Sequence, residues 1–360
     1  MSAKIRIGVI GAGNIGNVHM ENFSQLTDDV ELKAITDVYL PLAEKRAEEY
    51  GISTVYETAE DVINDDLDAV IVAVPNKYHA PLAIQALKAG KHVLLEKPMA
   101  INEADAKEIY LTQQSTGKMV MIPHQMRWES VPMQVKEQVE RGELGEIYHA
   151  KAGWFRRKGI PGWGTWFTQK AESGGGPLID IGVHLLDLSL YLMGNKKPVA
   201  VTGSTYAEFG PKRKGIGTWG TPNWEGSYDV EDIASAFIRM EDGSTLTLDV
   251  SWAVHMDTDN QPFVHLLGSE GGASIRGNEG KFLTERFDKP MEIALTKPEN
   301  DEGERLRLSR HFVECIQQGK EPITSALTGY TNNLILEAIY ESSRTGKEVV
   351  LNWDAVEGKQ

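Results

Sequence analysis

The segment Gly11-Ala12-Gly13-Asn14-Ile15-Gly16 follows a β-branched run, Ile5–Ile10, and precedes a helical stretch reaching about Leu26. A glycine-x-glycine-x-x-glycine turn is a weak signal alone, but between a strand and a helix it has a definite physical use. Gly11 permits the tight turn, Gly13 lets the backbone approach a pyrophosphate, and Gly16 lets the helix pack closely on the strand. Asn14 and Ile15 open the helix, where unsatisfied N–H groups and the positive dipole end favour an anion. Asp37 follows the second strand, Val30–Thr36, about twenty residues beyond the last glycine. A carboxylate there accepts from both hydroxyls of an adenosine ribose and repels a 2′-phosphate. No arginine follows within the next few positions, so the pattern favours NAD over NADP. The bland alternative is a structural turn, with Asp37 capping the next helix.

The first third of the chain alternates between strand and helix. Helical stretches at Pro41–Tyr50, Tyr78–Ala89 and Asn102–Ser115 separate apolar runs at Ala69–Val74, His92–Leu95 and Met119–Ile122. Continuous apolar runs suit strands covered on both faces, and short strand–helix alternation implies a parallel, doubly wound sheet. After Pro123 the rhythm changes. Strand patterns dominate between residues 146 and 295, and Asp242-Gly243 marks a hairpin. Two helices, Leu306–Gln318 and Ser325–Thr345, close the chain. The expected fold class is α/β: a Rossmann domain over 1–123, then an α+β domain over 124–360 with a large, mostly antiparallel sheet.

Two clusters carry candidate chemistry. The fifth strand runs into Glu96-Lys97-Pro98. Ligands of open parallel sheets sit beyond the C-terminal strand ends, so Lys97 is expected beside the nicotinamide, where its ammonium would stabilise an alkoxide. The alternative is a solvated surface lysine. Asn76 and His79, after the fourth strand, are candidate cofactor contacts, as is Glu96. The second cluster runs from Gly174-Gly175-Gly176 through Asp180, Gly182 and His184 to Asp187. Ser173 is placed to cap a helix starting there, and Asp180 and His184 are one turn apart on it. A carboxylate beside an imidazole fixes its tautomer, making His184 a candidate base. Gly182 costs a helix about 1 kcal/mol relative to alanine, which a closely approaching cofactor ring would offset. The alternatives are an accidental pair or a metal site on Asp180, His184 and Asp187. No second ligand set supports a metal, and none is expected.

The glycine turn, Glu96-Lys97-Pro98, and the triple-glycine helix with Asp180 and His184 together resemble the glucose–fructose oxidoreductase / inositol dehydrogenase (Gfo/Idh/MocA) family, over essentially the whole chain. The resemblance implies a Rossmann domain followed by an open-faced sheet domain used for substrate and oligomer contacts. It also implies a catalytic group of Lys97, Asp180 and His184, and a Lys–Pro peptide that is often cis. Arg156-Arg157-Lys158-Gly159-Ile160-Pro161-Gly162-Trp163-Gly164, followed by Trp166-Phe167-Thr168, looks like members that oxidise C3 of glucosides. Arg156 and Trp163 are therefore candidate substrate residues, an arginine forking to vicinal hydroxyls and an indole facing a sugar ring. Trp163 and Trp166 alternatively pin the loop to its own domain. Arg127, after the sixth strand, is a further substrate candidate.

Composition narrows the classes. Fifty-two acidic against 37 basic residues give a net charge of −15, which argues against nucleic acid and acidic membranes as partners. The single Cys315 excludes an internal disulfide, no apolar run is long enough to span a membrane, and the N-terminus reads as a strand rather than a signal peptide. A cytoplasmic setting is the simplest. The expected activity is NAD-dependent oxidation of a sugar, glucoside or cyclic polyol. Inositol dehydrogenation, NAD-dependent glycoside cleavage and a non-catalytic sugar sensor are the alternatives. A homo-oligomer, dimer or tetramer, is expected because Ala234–Ile238 and Leu246–Trp252 look too apolar for one covered sheet face. The loop Gly210–Asp229, with five glycines and two tryptophans, is longer than a compact domain needs.

Overall fold

The computed structural model describes residues 4–257 and 259–358. The chain divides into two compact units, residues 1–125 with 302–333, and 126–301 with 334–360.

In the first unit β1 (Ile5–Ile10), α1 (Asn14–Phe23), β2 (Val30–Thr36), α2 (Leu40–Tyr50), β3 (Thr54–Val55), α3 (Ala59–Asn64), β4 (Ala69–Val72), α4 (His79–Lys88), β5 (His92–Leu95), α5 (Glu103–Thr116) and β6 (Val120–Met121) alternate. The sheet order is β3-β2-β1-β4-β5-β6, and every pair is parallel. This is the doubly wound Rossmann order, reversing between β1 and β4. All four residues of β4 are buried, as a strand covered on both faces requires.

The sequence pattern assigned everything after residue 123 to the second domain, yet residues 302–333 belong to the first unit. Within them α9 (Glu304–Gln318) buries Leu308, Phe312 and Cys315. The Phe312 ring meets Phe23 of α1 edge-on at 6.0 Å. Ser325 bridges Met121, and the Asn333 amide donates to the Ala100 carbonyl at 2.8 Å. An amphipathic stripe fixes which face of α9 is buried; it does not say against what.

The second unit holds α6 (Ser130–Glu140), β7 (Ile147–Phe155), α7 (Lys170–Ser173), α8 (Val183–Leu192), β8 (Pro198–Tyr206), β9 (Ile233–Met240), β10 (Thr245–Ser251), β11 (Gln261–Gly268), β12 (Gly272–Arg276), β13 (Glu279–Arg286) and β14 (Lys289–Leu295). It ends with β15 (Val349–Val350) and α11 (Asp354–Glu357), while the cut between units falls inside α10 (Ala326–Thr345). Nine strands form one sheet in the order β14-β13-β12-β11-β7-β10-β9-β8-β15, antiparallel except where β7 meets β10. Leu246, Leu248 and Val250 are buried on one face, while Thr245, Thr247 and Asp249 alternate with them. β9 likewise buries Ala234, Ala236 and Ile238 and leaves Phe237 on the other face. Alternation in both strands is therefore clean, contrary to the sequence reading. The outer face is mixed: half-buried Phe237, Phe263 and Leu267 stand beside Arg239 and Arg276. Among the described residues no helix is long and apolar enough to cross a membrane.

Candidate active site

In the first unit the glycine turn is built as its sequence requires. Gly11 has φ +102°, and a β-carbon there would lie 2.2 Å from the Ala73 carbonyl oxygen. A β-carbon on Gly16 would lie 2.0 Å from the Gly11 oxygen, so this glycine sets the distance between α1 and the turn. At Gly13 nothing lies within 4 Å of that position. No side chain caps α1, so the N–H groups of its first turn, where Asn14 and Ile15 sit, stay open to an anion. Asp37 anchors the turn: its carboxylate accepts from the Ala12 N–H at 2.7 Å and the Tyr39 N–H at 2.8 Å. The next side chain, Val38, is fully exposed. A glycine cradle open at Gly13, an uncapped helix start and a fixed carboxylate after β2 together fit a dinucleotide.

The corner after β5 is buried and charged. Glu96 accepts from His19 Nε2 at 2.7 Å and from the Lys97 N–H at 3.1 Å. Burial alone would raise its pKa, but the His19 hydrogen bond and charge, aided by Arg305 and Lys97, hold it at about 2. Glu96 thus braces the corner against α1 and gives the cofactor no direct contact through these bonds. The Lys97–Pro98 peptide is cis. His79, expected as a cofactor contact, is 1% exposed and has Nδ1 2.7 Å from the Pro98 carbonyl and Nε2 2.9 Å from the Val74 carbonyl. Buried between these two carbonyls, to one of which its single N–H donates, His79 ties the end of β4 to the lysine corner. Asn76 is buried where the chain leaves β4.

In the second unit the glycine run is a seat for two side chains. A β-carbon on Gly175 would lie 1.9 Å from the Tyr340 hydroxyl, and one on Gly176 would lie 2.1 Å from the Glu231 carbonyl. The Glu231 carboxylate accepts from the Gly176 and Leu178 N–H groups, both at 3.0 Å, and from the Tyr340 hydroxyl at 2.9 Å. Glu231, rather than Ser173, therefore satisfies the helix start. Burial pushes its carboxyl up, against the pull of those donors. No local signal marks Glu231 as a cap, because it lies 55 residues from Gly176.

Residues Leu178–Gly182 form a π-helical turn before α8, a rare form that recurs at functional sites. Asp180 lies in it and accepts from the Trp252 indole N–H at 3.1 Å. His184 is 7% exposed in the first turn of α8. A notional β-carbon on Gly182 would meet Val250 of β10 at 3.2 Å, so close packing against that strand is one demand this glycine meets. Asp187, the third member of the metal alternative, is fully engaged elsewhere. It accepts from Arg127 Nε and Nη2, both at 2.7 Å, in an ion pair whose side chains are each 1% exposed. The guanidinium also lies 4.5 Å from the Tyr191 ring centroid. Arg127 is thus a structural ion-pair partner and not a substrate residue. Among the described residues no group of three His, Cys, Asp or Glu side chains is placed to hold a metal ion.

Arg156 is half-buried and stacks on Trp154 with 4.7 Å to the ring centroid. Burial pulls its pKa down, while the charges of Asp180 and Asp259 pull it back. Arg156 and Asp180 are therefore electrostatic neighbours. Trp163 is not a sugar platform. It is 4% exposed, its indole donates to the Gly210 carbonyl at 2.8 Å, and its ring stacks on Trp224 and Tyr228. It pins the long loop, whose backbone is laced to the Arg156–Gly164 segment through Ile160 with Gly215, Gly162 with Trp219, and Trp163 with Asn223. Asp232 holds the other root of that loop, accepting from the Phe209 and Gly210 N–H groups.

A parallel 3-2-1-4-5-6 sheet with an open glycine cradle, followed by a one-layer antiparallel sheet backed by helices, defines a dinucleotide-dependent two-unit oxidoreductase architecture. Residues 5–124 match the model of the Gfo/Idh/MocA oxidoreductase family's NAD-binding Rossmann fold, and residues 133–274 match the family's C-terminal domain. The chain belongs to the Gfo/Idh/MocA family, and its first unit carries that family's NAD-binding domain. It is similar to D-glucoside 3-dehydrogenase of Escherichia coli, with 33% identity over 97% of this chain and 98% of that protein. It is 25% identical to the scyllo-inositol 2-dehydrogenase (NAD(+)) of Bacillus subtilis, over 98% of each. A levoglucosan dehydrogenase solved with NADH shares the fold, with a TM-score of 0.88 and 23% identity over 97% of this chain and 100% of that one. The protein is an NAD-binding oxidoreductase of this family.

Proposed function

We propose that this enzyme oxidises a ring hydroxyl of a glucoside at C3, yielding a 3-keto sugar and NADH. The observation that carries the substrate reading is the end-to-end likeness to D-glucoside 3-dehydrogenase. Bound NAD supplies the hydride acceptor. His184 takes the hydroxyl proton. Asp180 orients that base and receives a neighbouring hydroxyl, with Arg156 offering donors beside it. The Lys97 ammonium stabilises the developing oxyanion. A panel of methyl glucosides, free glucose, inositols and sugar phosphates tests the reading, following NADH by absorbance and products by NMR. Turnover of inositols without glucosides would replace the substrate assignment, and release of aglycone without net NADH would replace the reaction.

NAD should be preferred over NADP. Asp37 is fixed by two backbone N–H groups beside the cradle, so its charge cannot swing away from a 2′-phosphate. Comparable kcat/KM with both cofactors would overturn this. Asp37→Ser combined with Val38→Arg should move the preference toward NADP.

The enzyme should assemble through the outer face of its large sheet. Phe237, Phe263 and Leu267 would be covered there, with Arg239 and Arg276 at the rim. Closed symmetry makes a dimer or a dimer of dimers the expected solution. Light scattering at micromolar concentration should give the mass of two or four chains. A mass near a single 39.8 kDa chain would refute it. The buried, reduced Cys315 suits the reducing cytoplasm in which we place the protein.

A further inference from the structure

We propose that Trp252 is the positioning residue of the reaction: its indole N–H aims the Asp180 carboxylate and holds it in its working orientation. The inference rests on the reading of Asp180 as part of the catalytic group.

Trp252 is among the largest side chains in the protein with no solvent exposure at all. A buried indole needs an acceptor for its single N–H, and here that acceptor is a carboxylate oxygen at 3.1 Å. Asp180 belongs to a π-helical turn, where the regular helical ladder does not by itself dictate side-chain direction. An outside donor is what selects one orientation. Trp252 is well placed for this because its own backbone is clamped on both sides. Its N–H donates to the Asp232 carbonyl at 3.0 Å, and its carbonyl accepts from the Gly159 N–H at 2.7 Å. The indole therefore sits on a fixed base at the end of β10. That base is shared with the Glu231-Asp232 corner, which caps the glycine helix, and with the Arg156 segment, whose Arg156 and Gly159 N–H groups donate to the Ser251 and Trp252 carbonyls. Arg156 faces the same carboxylate as a long-range charge. A charge attracts from many directions; a single N–H at hydrogen-bond distance favours one, and the indole is such a directional partner.

A double-mutant cycle tests this, with methyl β-D-glucopyranoside and NAD. Trp252→Phe should lower kcat about 10- to 150-fold, the range of one lost hydrogen bond to a charged group, with KM within about twofold. In an Asp180→Asn background the same change should alter kcat less than about twofold, because the group it acts through is no longer a carboxylate. A merely structural tryptophan would cost the same in both backgrounds, and that result would overturn the proposal. So would wild-type kcat in Trp252→Phe. If the phenylalanine variant is unstable, β-(3-benzothienyl)alanine at position 252 keeps the shape and removes only the N–H, and must give the same loss. Asp180→Asn with unchanged kcat would instead sink the catalytic reading of Asp180. If the glucoside does not turn over, the cycle is run on myo-inositol, so a wrong substrate and a wrong positioning role give different results.

Discussion

Replacing His184 by alanine should lower turnover by about 10²–10⁴-fold while leaving NADH affinity near that of the wild type. The expectation follows from how the two tasks are divided along the chain. The cofactor cradle is made by backbone N–H groups of the glycine turn and by Asp37, all in the first unit. His184 stands on α8 of the second unit and supplies none of it. Lys97→Ala should show the same separation, because the cradle is supplied by the glycine turn and Asp37, which this change leaves alone. NADH titration by fluorescence and steady-state kinetics on one preparation make the comparison. A His184→Ala enzyme retaining more than roughly a tenth of wild-type turnover would remove His184 from the role of base.

Arg127→Met should cost stability, not substrate affinity. The change leaves the buried Asp187 carboxylate without its two guanidinium donors. Breaking a buried pair on one side costs about 3–5 kcal/mol. For a domain of this size that corresponds to a fall in thermal midpoint of roughly 6–20 °C. The remaining folded enzyme should keep its KM. Arg127→Met with Asp187→Leu should recover most of the loss, because the desolvated charge is removed with its partner. A raised KM at an unchanged midpoint would restore Arg127 to the substrate site.

The sequence alone determined the dinucleotide cradle, and the reason is local. Gly11 needs a positive φ, Gly16 must lie close to the Gly11 carbonyl, and Asp37 must follow β2. Each of these conditions belongs to a few neighbouring residues. The period of apolar residues likewise gave the parallel sheet and most of the second-unit strands, since burial on one or two faces is written in the spacing. Only the tertiary structure decided what each polar side chain touches. Arg127 and Trp163 carry the chemical groups a sugar site needs, and both are spent on partners 60 and 47 residues away. His79 is held between the Val74 and Pro98 carbonyls. Glu231 and Trp252, which set the helix start and Asp180, carry no local signature because their partners lie 55 and 72 residues off. A buried hydrogen-bonding group must take whichever partner folding brings beside it, and sequence spacing does not encode that choice.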